Sequence, residues 1–306
     1  MRSNLSPARR RGFSLIEIMV ALVLLGIVAT GIMTVVMRQQ QFYRSATDVI
    51  DTRQQIRQAA AVVPVDIRGV SSIGNDILAM SDSALDVRGN IGSGIVCSHT
   101  GNSITIPPLN LAKNRYFTTF LTRPQVHDVI IIFDDKTAGN QDDDWTINTI
   151  SAIDSTLVGC TSFTDPVLDA TKYRYVYTFS APLSTTIVDG APLRMARQVK
   201  YSLYKSATDG LWWMGYRECR GDQTLCDAVQ PVSGPYKPYV ANDTINSGVT
   251  FVYRDSTGAI TTSKTSVARI EMFIHGQTQG AVALGGGKAA RYSDYMKVTI
   301  ALRDRQ

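Results

Sequence analysis

The sequence predicts an α+β fold in which one long N-terminal helix packs on a mostly antiparallel β-sheet head. Two stretches predict the helix: an apolar run from Phe13 to Val36, and a polar continuation to Val63 that carries an apolar stripe. The chain beyond Pro64 predicts the sheet, because short β-rich segments separated by turn residues replace the helical periodicity there. In chain order the expected parts are a leader, the helix and the head: 1–12, 13–63 and 64–306.

The apolar run is long enough to cross a membrane. Its 24 residues contain a single charge, Glu17, and they span about 36 Å, against about 30 Å of hydrocarbon. A core helix of a soluble protein would not be apolar on every side over this length. An unpaired carboxylate near the end of a membrane span costs up to about 3 kcal/mol, so Glu17 needs a partner. The four arginines of residues 1–12 predict that this end is cytoplasmic and the head outside.

The second half of the helix, beyond about Val36, is predicted to lie on the head. Its apolar side chains recur at steps of three, four and seven, which places them on one helical face. Pro64 is expected to end the helix because proline lacks an amide donor. An independent coiled coil is the weaker alternative, since the repeat covers only about three heptads. The stripe consists of Phe42, Ala46, Val49, Ile56, Ala60 and Val63.

Nine segments of the head are predicted strands, because they are rich in β-branched and aromatic residues and several alternate strictly. Two sequences between them, 207–210 and 255–258, end in glycine and predict hairpin turns. The strands are Ser103–Pro107, Asp128–Phe133, Thr146–Ile153, Tyr173–Ser180, Gln198–Lys205, Leu211–Glu218, Val249–Tyr253, Ala268–His275 and Met296–Leu302.

A motif joins the leader to the helix and reads Arg11-Gly12-Phe13-Ser14-Leu15-Ile16-Glu17. It resembles the class III signal of type IV prepilins and pseudopilins. The resemblance implies that a prepilin peptidase cleaves between Gly12 and Phe13, and that the new terminal residue, Phe13, is N-methylated. It also implies that the Glu17 carboxylate pairs with the Phe13 amine of a neighbouring subunit. Phe13 and Glu17 are therefore the expected docking residues.

The same resemblance implies where the protein works. The chain is expected to span the inner membrane once, with its head in the periplasm or outside, and then to enter a pilus or pseudopilus. Its implied partners are other pilins or pseudopilins and the inner-membrane assembly platform. A conventional secretory signal fits less well, because the apolar run is too long and no Ala-x-Ala site follows it. A plain signal anchor would not need Glu17.

The last third of the chain carries a second pattern, over about Arg197 to Asp304. Its elements are 201–204, an Asp-Gly turn, a strand ending at Tyr216-Arg217, then 248–255, 267–274 and 298–303. This order resembles W-type minor pilins and the J-type pseudopilins of type II secretion. We therefore expect a minor pilin, with a J-type pseudopilin as the alternative and a membrane-anchored periplasmic enzyme as a remote one. Many major pilins have a kinking proline where this helix has Thr34, which argues against a major subunit.

The charge of the chain does not indicate nucleic-acid binding. The net charge is +5, but four of the 31 basic residues lie in the leader. Without them 27 basic residues face 26 acidic ones, too small an excess for a general electrostatic interaction with DNA. No specific nucleic-acid partner is predicted.

The four cysteines lie on the side that is predicted to be exported, where disulfides persist. Cys219 and Cys226 enclose a short segment and are expected to pair, which would leave Cys97 with Cys160. Four cysteines allow three connectivities, so the sequence leaves the pairing open. A zinc site is not predicted, because no two cysteines lie two to four residues apart.

An acidic loop is the one candidate for a cofactor. Its five carboxylates could supply oxygen ligands to Ca²⁺, although their spacing is not that of an EF-hand, and a merely solvated loop is the alternative. No catalytic residues are predicted, since the three histidines lie on separate segments and no catalytic motif is present. The protein is expected not to be an enzyme. The acidic residues are Asp134, Asp135, Asp142, Asp143 and Asp144.

Overall fold

The computed structural model describes residues 14–136, 143–221, 225–282 and 289–302. Within these ranges the chain forms one α-helix, α1 (Leu15–Ile67), and fifteen β-strands. The strands are β1 (Ile77–Met80), β2 (Ala84–Ile95), β3 (Ser98–Thr100), β4 (Ser103–Ile106), β5 (Thr119–Phe120), β6 (Val129–Asp134), β7 (Asp144–Thr156), β8 (Arg174–Phe179), β9 (Pro192–Lys205), β10 (Trp212–Arg220), β11 (Leu225–Cys226), β12 (Gln230–Tyr236), β13 (Val249–Arg254), β14 (Arg269–Gln277) and β15 (Ser293–Ala301).

The predicted α+β class is confirmed. Every pairing between these strands is antiparallel, and the strand order across the sheet is β13-β14-β12-β10-β9-β6-β7-β8-β4-β3. Strand β9 is the longest and pairs with β2, β6 and β10, while β15 pairs with β14. The side chains of β9 are buried for most of the length of the strand.

The chain divides into two compact units. The smaller contains the chain up to Asp51 together with Gln279–Tyr292. The larger contains Thr52–Thr278 and the residues from Ser293 onward, and it holds the sheet and the last turns of α1.

The larger unit has two hydrophobic cores. The first lies where α1 packs on the sheet, with Ile56, Val63 and Ile67 against side chains such as Met272 and Ile274 of β14. The second lies around β6 and β8 and contains no helical residue. Burying these side chains stabilises the head by about 1.5–3 kcal/mol for each large aliphatic group.

The end of α1 differs from the prediction. Pro64 lies inside the helix, which continues to Ile67, four residues beyond the predicted end at Val63. Proline removes one backbone donor, but Ile67 is fully buried in the first core, and this burial offsets part of the cost of the proline. Phe42 also differs from the predicted stripe: its side chain is 55% exposed, whereas Thr52, Ile56, Ala59 and Val63 form the buried face.

Buried ion pairs connect β9 to its surroundings. Arg197 donates two hydrogen bonds to the buried carboxylate of Asp128, at 2.9 and 2.8 Å, and a third to Glu218 on β10. Arg194 donates two to the buried carboxylate of Asp76. A bidentate pair fixes both distance and orientation, so these arginines hold two loops rigidly on the sheet.

Candidate functional site

The first described residues form a reciprocal cap at the start of α1. The Ser14 amide donates to Oε2 of Glu17 at 2.9 Å, and the Glu17 amide donates to Oγ of Ser14 at 3.3 Å. This is a capping box, in which two side chains satisfy two amides that the helix leaves unpaired. The Glu17 side chain therefore points back along the chain, toward the predicted new terminus. Gly12 and Phe13 lie outside the described residues.

The helix beyond Glu17 exposes its apolar side chains. Every residue from Leu15 to Arg44 is exposed, and this stretch includes the run of large aliphatic side chains up to Val36. By length and composition α1 can cross a membrane. An exposed apolar surface of this size is a contact surface for lipid or for other chains.

Two threonines within this surface donate hydrogen bonds from their hydroxyl groups to backbone carbonyls of the same helix. Thr30 Oγ1 donates to the Gly26 carbonyl at 2.7 Å, and Thr34 Oγ1 donates to the Gly31 carbonyl at 2.7 Å. Such hydrogen bonds remove the cost of a hydroxyl group in hydrocarbon. Apart from neighbouring residues and the backbone of the same helix, no atom of the described residues lies within 4 Å of a Cβ built on Gly26 or Gly31, so a partner helix can approach closely there.

The other end of α1 is held tightly in the head. Gly276 on β14 lies so close to the helix that a Cβ there would be 2.8 Å from Cδ1 of Ile56 and 2.9 Å from Cγ2 of Thr52. The absence of a side chain at 276 lets the helix approach the strand. A movement of this part of the helix therefore carries the head with it.

Polar contacts add to this attachment. Arg53 donates to the Asp294 carboxylate at 3.0 Å, and the Tyr236 hydroxyl donates to the Gln55 carbonyl at 3.2 Å. The Tyr201 hydroxyl donates to Asp66 at 2.6 Å. Burial raises the pKa of Asp66, although the hydrogen bond from Tyr201 acts in the opposite direction.

The structure joins Cys97 to Cys160 and Cys219 to Cys226. The first bridge closes a separation of 63 residues, and the second a separation of seven between β10 and β11. Among the described residues no cysteine is free.

The acidic loop does not form a calcium shell within the described residues. Asp134 and Asp144 face each other across β6 and β7, but Asp134 is buried and accepts a hydrogen bond from Thr186 at 2.6 Å. Asp144 pairs with Lys136 at 3.7 Å. In the described ranges no three acidic, histidine or cysteine side chains are placed to hold a metal ion, and Asp142 lies outside those ranges. Calcium binding by the acidic loop therefore stays a prediction.

The three histidines lie on different elements. His99 is on β3, His127 precedes β6 and His275 is on β14. His99 approaches Asp189 at 3.9 Å, whereas burial and the charge of Lys237 lower the pKa of His275. These positions do not form a recognisable catalytic arrangement.

Several residues that position the helix were not predicted. Ser14 and Glu17 form a capping box, and their Ser-x-x-Glu spacing is visible in the sequence, so this cap could have been predicted. Gly276, Gln55 and Asp66 carry no comparable local signal, because their partners are distant along the chain.

A family model for the prokaryotic N-terminal methylation motif matches residues 7–33. This range contains Gly12, Phe13 and Glu17 and covers part of the leader and most of the apolar run. No curated protein and no solved structure matches the chain. The chain thus begins with a type IV prepilin-like N-terminal signal, followed by a helix that can span a membrane and a β-sheet head.

Proposed function

We propose that the protein is a minor pilin, a structural and assembly subunit of a type IV pilus that a prepilin peptidase processes. One observation carries this proposal: a single helix, α1, has an exposed apolar first half behind a prepilin-like signal and a last section buried in the head. An anchor alone would not need this rigid attachment. A filament subunit does, because its helix must carry the head into the assembly.

The chemistry of docking centres on Glu17. Before assembly its carboxylate accepts a hydrogen bond from the Ser14 amide. Cleavage after Gly12 would create a cationic amine at Phe13, next to Ser14 in the chain. In a filament the Glu17 carboxylate then pairs with the Phe13 amine of a neighbouring subunit. Two charges that are each costly in an apolar surrounding offset each other, and the pairing favours one register of the helices.

The same geometry suits a J-type pseudopilin of type II secretion, which remains the alternative. The rest of the assignment belongs to the proposal as well: single-pass insertion in the inner membrane, the head outside the cytoplasm, and transfer into the filament by the assembly platform. An anchored enzyme is the remote alternative, because the pilin-type motif is typical of a structural subunit.

Mass spectrometry of the N-terminal peptide tests the proposal, in sheared surface filaments and in the membrane fraction. A peptide that begins at N-methylated Phe13 in the filaments is expected. The same peptide in membranes alone would favour a pseudopilin. An uncut leader in both fractions would overturn the prepilin interpretation. Gly12→Val serves as the control, since a bulky residue at the cleavage position should keep the leader on the protein.

A further inference from the structure

A cleft lies on the solvent-facing side of β14 and β15, within the larger unit. It has a volume of about 410 Å³, within the range of small-ligand sites. Alternate residues of β14, such as Ile274, face α1 and the first core, so Phe273 and His275 face the other way. The cleft is lined by Lys237, Thr244, Ile245, Phe273, His275, Ser293, Asp294 and Tyr295.

The floor of the cleft is an ordered aromatic platform. Tyr295 pairs with His275 across the two strands, and their rings stack at 5.7 Å with 20° between their planes. His275 is only 8% exposed, whereas Tyr295 is 68% exposed. The buried ring therefore supports the tyrosine ring and leaves much of its surface available.

The opposite wall is a loop that the backbone holds in place. At one end the Lys237 amide donates to the His275 carbonyl at 3.0 Å, and at the other the His275 amide donates to the Gly248 carbonyl at 2.6 Å. Between them the Asp243 carboxylate accepts hydrogen bonds from the amides of Ile245 and Asn246 at 2.8 and 2.9 Å. The wall is thus formed before any ligand arrives, which lowers the entropic cost of binding.

Hydrogen-bond donors and acceptors surround the aromatic platform. Thr244 and Ser293 contribute hydroxyl groups, whereas the Asp294 side chain lies on the α1 side of the sheet, where it pairs with Arg53 at 3.0 Å. Lys237 contributes an ammonium group that forms no ion pair with any residue in the described ranges. An aromatic face edged by donors and acceptors complements a ring with an apolar face and hydroxyl groups around its rim.

We propose that this cleft is a binding subsite for one pyranose ring of a glycan, with the ring stacked on Tyr295 and its hydroxyl groups directed to Lys237, Thr244 and Ser293. A peptide anchored by an aromatic side chain would use the same platform but would leave most of these polar groups unpaired, and unpaired polar groups cost binding energy. The proposal stands independently of the pilin assignment, because it rests only on residues of the head.

Saturation-transfer NMR on the full-length protein tests it, in a detergent with no sugar headgroup. The probes are the N-acetylglucosamine–N-acetylmuramic acid disaccharide of peptidoglycan, the surface-type sugar lactose and a Gly-Trp-Gly peptide. We expect at least one saccharide to bind with a Kd below about 10 mM, as suits a single shallow subsite. Which saccharide binds distinguishes a cell-wall source from a surface glycan.

Variants of the platform make the test specific. Tyr295→Ala should weaken saccharide binding about tenfold or more, and Tyr295→Phe should retain it, since the ring remains. Tyr173→Ala is the matched control, because this tyrosine is 60% exposed and does not line the cleft. Thermal unfolding of each variant shows whether it is folded. Binding of neither saccharide, equal binding by Tyr295→Ala and the unmodified protein, or binding of the peptide alone would overturn the proposal.

Discussion

Gly276 on β14 and Ile56 on α1 are in such close contact that no Cβ fits between them: it would lie 2.8 Å from Cδ1 and 2.8 Å from Cγ1 of the isoleucine. The two residues are 220 positions apart in the chain. Their contact is where the helix that carries the prepilin-like signal enters the core of the head.

Gly276→Ala is therefore expected to destabilise the head. Inserting a methyl group into a packed contact costs about 1–3 kcal/mol, which denaturant unfolding can measure. Gly69→Ala is the matched control, since a Cβ there meets Asn90 at an ordinary 3.7 Å. Combining Gly276→Ala with Ile56→Val, which removes Cδ1, should cost less than the sum of the two single changes. Full additivity would show that the contact is looser than described.

Two substitutions separate the effect of the Glu17 charge on filament assembly from its effect on helix capping. Glu17→Gln retains a capping box but removes the charge, and it should be cleaved normally yet incorporate poorly into filaments. Ser14→Ala should lose about 1 kcal/mol of helix capping but retain incorporation, because the carboxylate remains. Immunoblots of sheared filaments against membranes measure both. Normal incorporation of Glu17→Gln would contradict the pairing with the Phe13 amine.

Asp169 should make the head sensitive to acid. Burial raises the pKa of this carboxyl, but hydrogen bonds from the amides of Asp165 and Ala112 and the ammonium group of Lys172 outweigh burial and lower it to about 2. The folded-state pKa is thus below the ordinary 3.8. The stabilisation is present above about pH 4 and is lost as the pH falls toward 2.

Asp169→Asn should accordingly lower the Tm by about 2–4 °C or more near neutral pH. This gap in Tm between the variant and the unmodified protein should close as the pH falls from about 4 toward 2. Asp154→Asn is the control for the substitution itself, because this residue is at an exposed position. A gap for Asp169→Asn that stays constant down to about pH 2.5 would rule out the proposed coupling.

The two disulfides should contribute unequally. In the chain-entropy account a loop of 63 residues stabilises by about 4 kcal/mol and one of seven by about 2.5 kcal/mol. Cys97→Ser with Cys160→Ser should therefore destabilise the head more than Cys219→Ser with Cys226→Ser. Non-reducing peptide mapping checks the connectivity itself, and a Cys97–Cys219 peptide would show that the pairing is wrong.

Calcium binding is tested by thermal unfolding of the head with Ca²⁺ and with a chelator. If the acidic loop binds the ion, saturating Ca²⁺ should raise the stability by about 2.7 kcal/mol at about 100 times the Kd. Asp142→Asn, Asp143→Asn and Asp144→Asn together should abolish that rise. An equal Tm with and without Ca²⁺ in the unmodified protein would end this prediction.

Strand β2 illustrates the limits of local sequence patterns. Its glycines at 89, 92 and 94 interrupt the alternation, so the sequence did not predict it, yet it pairs along its whole length with β9. A Cβ at Gly92 would lie 2.7 Å from the Thr119 carbonyl oxygen, so this glycine permits the close approach of β5. The nine predicted strands all overlap observed ones, because β-branched and aromatic residues mark them locally. Strands β1, β3, β5, β11 and β12 were missed as well, and all but β12 are four residues or shorter.

The sequence alone determined the parts of this protein that depend on consecutive residues: the prepilin-like signal, the membrane-length helix and most strands. A cleavage motif and a periodic stripe are local, so neighbouring residues suffice to define them. Only the tertiary structure decided the order of the strands, the pairing of the cysteines, the contact of Gly276 with Ile56 and the cleft at Tyr295. These features join residues that are distant along the chain, and their proximity depends on how the whole sheet assembles.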